Sequence, residues 1–135
     1  MTELELDDGV RALLEARLDS FEKLEIAQAL RASGGMTPAA LAAACRLSAD
    51  TVEEALTRLQ HDAIVEPDPG GSEVVRLGSA SRDPRFEAVM QLYATDRLGV
   101  LSVLSTLAME RIRHMAAQVF SDVFASKHKR GGDGS

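Results

Sequence analysis

MTPAALAAACRLSADTVEEALTRLQHDAIVE, residues 36–66, is the stretch that decides the fold. Thr37 offers an N-cap oxygen, and Pro38 sits in the first helical position, where its missing N–H costs nothing. Leu41 and Cys45 share one face of the short helix that follows. Ser48 caps a second helix, in which Val52, Leu56 and Leu59 face inward at helical spacing. Ile64 and Val65 then begin an extended run, broken at Pro67, Asp68, Pro69, Gly70 and Gly71 and resumed by Val74, Val75 and Leu77. Helix, tight turn, helix and hairpin make the outline of a winged helix-turn-helix, a fold that places its second helix in a DNA major groove.

Outward from this stretch the pattern stays helical. Asp7 or Asp8 can cap a helix running through Leu18, with Val10, Leu13, Leu14 and Leu18 on one face. A second helix spans about Ser20 to Ser33, and Gly34 and Gly35 end it. After the wing, Gly78 to Asp83 reads as a linker carrying a capping signal, and Pro84 opens a helix buried through Phe86, Val89, Met90 and Tyr93. Gly99 predicts a break near 96–99. From Val100 an apolar stripe of about six turns runs through Leu104, Ala108, Ile112, Met115, Val119, Phe120 and Phe124 toward Ser126. The expected fold class is mainly α with a small β-wing: a winged helix-turn-helix domain over 7–78, a C-terminal helical extension over 79–127 that serves dimerisation, and a disordered tail over 128–135.

Apolar residues make up 45% of the 135 and charged residues 27%, with a net charge of −6. Distribution matters more than the total for a nucleic-acid partner. Residues 37–61 carry Arg46 and Arg58 against Asp50, Glu53 and Glu54; residues 62–78 carry Arg76 against Asp62, Glu66, Asp68 and Glu73. Only 79–135 is positive, with eight basic and six acidic residues. The acidic start shows no signal peptide, and no run approaches the roughly 18 apolar residues of a membrane span. With a single cysteine, a cytoplasmic location is expected.

Residues 20–78 resemble the winged-helix domains of bacterial transcription regulators of the MarR-like and ArsR-like kinds. Leu41-Ala42, Ser48, Thr51-Val52, Leu56, Leu59 and Ile64-Val65 carry the resemblance, and the following segment QLYATDRLGVLSVL extends it to about 110 residues. The resemblance implies a DNA-reading second helix. Three departures stand against it. Arg46 occupies the turn position usually held by Gly or Asn, which suggests a turn of another type. Glu53 and Glu54 stand where such regulators usually present polar or basic groups. The wing tip has no Lys or Arg.

The candidate DNA-binding residues are Thr51, Thr57, Arg58 and Arg76, and the candidate dimer interface is Leu104, Ala108, Ile112, Met115, Val119 and Phe120. Cys45 reads as a packed core residue rather than a redox sensor. His61, His114 and His128 are far apart, and Glu110 with His114 makes an ion pair rather than a metal site. Arg111, Arg113, Lys127, Lys129 and Arg130 contact phosphate or solubilise the C-terminal end. No catalytic, metal or cofactor constellation is present, so no enzyme is expected. The leading function is a transcription-regulator-like protein binding DNA as a homodimer. The rival is an acidic winged-helix module that binds a protein partner without touching DNA.

Overall fold

The computed structural model describes residues 6–133, with side chains described through Val123. Six α-helices and a two-stranded wing follow one another: α1 (Asp8–Arg17), α2 (Phe21–Ser33), α3 (Pro38–Cys45), α4 (Ala49–His61), β1 (Val65–Pro67), β2 (Val75–Leu77), α5 (Pro84–Thr95) and α6 (Arg97–Asp133). This is a winged helix-turn-helix, mainly helical with an antiparallel hairpin. The chain divides into two compact units, Met1–Leu104 and Ser105–Ser135. The first takes in the helix-turn-helix, the wing, α5 and the first two turns of α6.

Local chemistry sets the helix starts. Asp7, Ser20, Thr37, Ser48 and Asp83 each accept a backbone N–H from the first turn of the helix they precede. Such caps satisfy donors that have no partner within the helix, at about 0.5–2 kcal/mol each. Pro38 and Pro84 stand at the first turns of α3 and α5. Gly34 ends α2 in the left-handed conformation, φ 84°.

The turn between α3 and α4 differs from expectation. Arg46 adopts the left-handed conformation itself, φ 57° and ψ 45°, so the turn is of the ordinary type with an unusual occupant. The Leu47 N–H reaches back to the Ala42 carbonyl at 3.0 Å, and Leu47 packs against the core. That six-residue closure and its hydrophobic contact are what a Schellman ending supplies, and here they outweigh the strain. Helix α4 ends the same way: Ala63 has φ 60°, and the Ile64 N–H donates to the Leu59 carbonyl at 2.9 Å.

The core of the first unit gathers Leu13, Leu14 and Leu18 with Leu24, Ile26 and Leu30 of α2, Leu41, Val52 and Leu59 of the helix-turn-helix, and Phe86, Met90 and Tyr93 of α5. Val100 and Leu104 of α6 complete it. In the wing, Val65 pairs with Leu77, Glu66 with Arg76 and Pro67 with Val75. Met36 adds an isolated bridge to β2, exchanging two backbone hydrogen bonds with Val75 at 3.0 and 2.8 Å. The base of the wing is tight: a Cβ on Gly78 would lie 2.6 Å from the Ala63 carbonyl oxygen.

One further expectation is corrected. Residues 79–82 form a 3-10 turn rather than a plain linker, held where the Ala80 N–H meets the Ala63 carbonyl at 2.9 Å. The break expected near 96–99 is found at Asp96, and Gly99 itself lies inside α6. Its N–H donates to Asp96 Oδ1 at 3.1 Å. A Cβ on Gly99 would sit 2.3 Å from the other carboxylate oxygen, so the glycine makes room for the cap. The tail expected over 128–135 lies beyond the described side chains; the backbone of α6 is helical through Asp133.

Arg46→Gly relieves the left-handed strain, so we expect it to stabilise the domain by about 1 kcal/mol. Gly78→Ala forces the wing base apart and should destabilise it by about 1–3 kcal/mol. Urea unfolding midpoints of the two variants against wild type check both signs.

Candidate nucleic-acid interface

The face a winged helix offers to a duplex is the outward side of α4 with the wing. Here the α4 side is lined by Asp50, Glu53, Glu54, Thr57, Arg58 and Gln60. Over 49–77 there are seven acidic residues (Asp50, Glu53, Glu54, Asp62, Glu66, Asp68, Glu73) and two basic ones (Arg58, Arg76), a net of −5.

Both arginines are engaged by carboxylates of the same face. Arg58 lies 3.6 Å from Glu54, one turn earlier on α4. The Arg76 Nε–H donates to Glu66 Oε1 at 2.9 Å, and the two stand directly opposite each other across the hairpin. Exposed pairs of this kind contribute about 0–1 kcal/mol to stability. Their electrostatic effect is larger: an arginine that turned to a phosphate would leave a carboxylate facing the same phosphate.

The threonines are occupied as well. Ser48 Oγ–H donates to Thr51 Oγ1 at 2.8 Å, while the Thr51 N–H donates back to Ser48 Oγ at 3.1 Å. The Thr57 hydroxyl donates to the Glu53 carbonyl at 2.9 Å. The wing tip closes on itself, with Ser72 Oγ–H donating to Asp68 Oδ2 at 3.0 Å and Gly71 at φ 79°. The structure thus places Thr51 and Arg58 beside α2, Thr57 elsewhere on α4, and Arg76 on β2.

Sequence reasoning missed a recess of about 350 Å³ between α2 and α4, lined by Asp19, Ser20, Lys23, Thr51, Glu54 and Arg58 among others. At its edge Lys23, nearly buried, donates to Asp19 at 2.7 Å. The i,i+4 spacing of Asp19 and Lys23 was the available signal. It also missed a cluster at the start of α6. The Tyr93 hydroxyl donates to Glu25 Oε2 at 2.9 Å, and Arg97 donates to Glu25 Oε1 at 2.8 Å. The Arg97 guanidinium lies 5.3 Å from the Phe21 ring centre and 5.8 Å from that of Tyr93. Burial, together with its hydrogen bond to Glu25, pushes the Tyr93 phenol up to about 12.

Cys45 is a free, half-buried thiol packed against the core. Burial, with the nearby negative charge of Glu25, pushes its pKa up. Among the described residues no group of three His, Cys, Asp or Glu side chains is placed to hold a metal. Nor is any helix long and apolar enough to cross a membrane.

The second unit carries the dimer candidates. Ile112, Met115, Val119 and Phe120 are 64%, 59%, 60% and 71% exposed in the single chain, and Val123 continues the stripe. Ala108 is exposed beside them. Leu104 differs: it is buried in the core of the first unit.

The fold is that of a winged helix-turn-helix protein. Its structural neighbours are MarR-family winged-helix regulators. A mutant of S. aureus MepR superposes with a TM-score of 0.50 at 18% identity, over 85% of this chain and 88% of that one. A mutant of E. coli MarR, crystallised with operator DNA, gives 0.48 at 18%, over 83% and 84%. A MarR-family regulator from Silicibacter pomeroyi gives 0.46 at 21%, over 89% and 75%. No family model matches the chain, and no curated protein matches it.

Tyr93 is the sole tyrosine and the chain has no tryptophan, so a near-ultraviolet titration reads its phenol alone. We expect ionisation at about 12. Glu25→Gln should lower that value, and Arg97→Ala, which removes a nearby positive charge, should raise it. With its thiolate disfavoured, Cys45 should react with a thiol reagent more slowly in native than in urea-unfolded protein.

Proposed function

We propose that this chain is a transcription-regulator-like winged-helix protein, homodimeric through α6, whose α4–wing face meets a protein partner rather than a duplex. One observation carries the reading: a face of net −5 in which Arg58 and Arg76 are each held by a carboxylate of that same face. Affinity for DNA comes mostly from cations that displace counterions from phosphates. A single carboxylate can read cytosine in the major groove. Seven acidic groups with two committed arginines leave no net attraction to hold them there. The partner that suits such a face is a basic protein surface, drawn in by complementary charge. No enzymatic activity is proposed.

A second reading, direct DNA binding by the dimer, is favoured by the architecture itself. Helix α4 is capped and outward-facing as a recognition helix must be, and a two-fold dimer would present two of them. In this reading Thr51, Thr57, Arg58 and Arg76 make the contacts.

The homodimer rests on the exposed stripe of α6. Large contiguous apolar surface on a water-soluble chain marks a partner site, and most oligomers are two-fold symmetric copies of one chain.

A mobility-shift assay at low salt on the DNA upstream of the gene separates the readings, because attraction to phosphate is greatest there. We expect no shift with wild type. Glu53→Lys with Glu54→Lys should create non-specific duplex affinity. A sequence-specific wild-type shift that Arg58→Ala abolishes would end the protein-partner reading. For assembly, sedimentation at micromolar concentration should give the dimer mass, and Met115→Glu should shift it to monomer. Leu104→Glu should instead unfold the first unit.

A further inference from the structure

The recess between α2 and α4 has two walls, where the acidic face beside it is open. Asp19, Glu22 and Lys23 stand on the α2 side, and Glu54, Ala55 and Arg58 on the α4 side, around about 350 Å³. Glu54 and Arg58 belong to the outward face of α4 as well, so the recess borders that surface. Its charges do not cancel: Asp19, Glu22 and Glu54 against Lys23 and Arg58 leave a net of −1. Lys23, with its side chain 9% exposed, is tied to Asp19 at 2.7 Å. Arg58 is 65% exposed and lies 3.6 Å from Glu54, beyond hydrogen-bond distance. Glu22 is half-buried and has no hydrogen bond or ion pair among the described residues. Its place in the first turn of α2 offers the helix dipole but no donor. A carboxylate that has lost part of its hydration without gaining a partner favours an incoming cationic donor.

We propose that this recess takes an arginine side chain of a basic protein partner, its guanidinium between Glu22 and Glu54 and its aliphatic stem against Ala55. The proposal rests on the protein-partner reading above and names where that partner is gripped. Among the described residues no three His, Cys, Asp or Glu side chains converge closely enough for a metal ion, so the cation that fits is an extended one. A guanidinium is planar, weakly hydrated and carries five donors, which suits carboxylates on facing walls better than the compact ammonium of lysine. An anion fits poorly, because Lys23 and Arg58 each already stand beside a carboxylate. Displacing Arg58 from Glu54 costs little, since so long and exposed a pair is weak.

The probe is the blocked tripeptide acetyl-Gly-Arg-Gly-amide, with citrulline replacing arginine as the neutral control. Each is titrated into the full chain at physiological salt, where charges outside the recess are largely screened, and followed by the backbone amide resonances. The arginine peptide should give saturable shifts at Ser20, Glu22, Lys23, Thr51 and Ala55, and the citrulline peptide none. Glu22→Gln with Glu54→Gln should weaken the arginine peptide by about tenfold. Glu53→Gln with Glu73→Gln removes the same charge outside the recess and should leave the affinity within about twofold. Equal losses in the two double variants, or shifts spread over α4 and the wing, overturn the recess as the grip and leave the acidic face standing as a partner surface. So does the absence of any shift at millimolar arginine peptide. Recess shifts in a protein whose wild type also binds its upstream DNA specifically would uphold the arginine site and end the reading on which it rests.

Discussion

Burial of α2 along a wide arc is the constraint on which the rest of the first unit depends. Leu24, Ile26, Ala27 and Leu30 are all essentially inaccessible, so this helix must be covered from more than one side. It is in contact with α3, α4, β2 and α5. The helix-turn-helix thus packs on one part of its surface and α5 on another. The polar residues α2 retains are used to fix its neighbours. Glu25 receives Tyr93 and Arg97, and Arg31 pairs with Glu87 of α5. Apolar burial supplies the driving force, at about 25 cal/mol per Å²; the ion pairs at the rim contribute direction more than energy.

Most of this architecture was legible in the residues, because its signals are local. Thr37-Pro38, Ser48 and Asp83-Pro84 act within one turn, and Gly34 has the conformational freedom its position requires. The left-handed turn at Arg46 was not legible. Its propensity argues against that conformation, and the compensation lies in the packing of half-buried Leu47 against the core, which only the fold reveals. Gly99 marks the break at 96–99, as glycine often does, but not by its own backbone freedom. Its actual role depends on where the Asp96 carboxylate sits, a contact three residues away that no periodicity reports.

The candidate face was half legible. The carboxylates of α4 and the bare wing tip can be counted directly, and Glu54–Arg58 has the familiar i,i+4 spacing. The pairing of Arg76 with Glu66 needed the hairpin register, since the residues are ten apart in the chain and adjacent only across the strands. The exposure of the α6 stripe was likewise a tertiary fact. Leu104 and Ile112 look alike as letters, yet one lies in the core and the other faces outward.

The caps, the inward leucines and the two left-handed turns secure α4 without calling on Glu53, and Glu54 enters only a weak surface pair. Folding and the charge of the outward face are therefore written in different letters of the same helix. Reversing those two charges would move the local net from −5 to −1 while leaving every buried contact in place. A scaffold arranged this way can change the charge of its outward face through a pair of codon changes, with the core that folds it untouched.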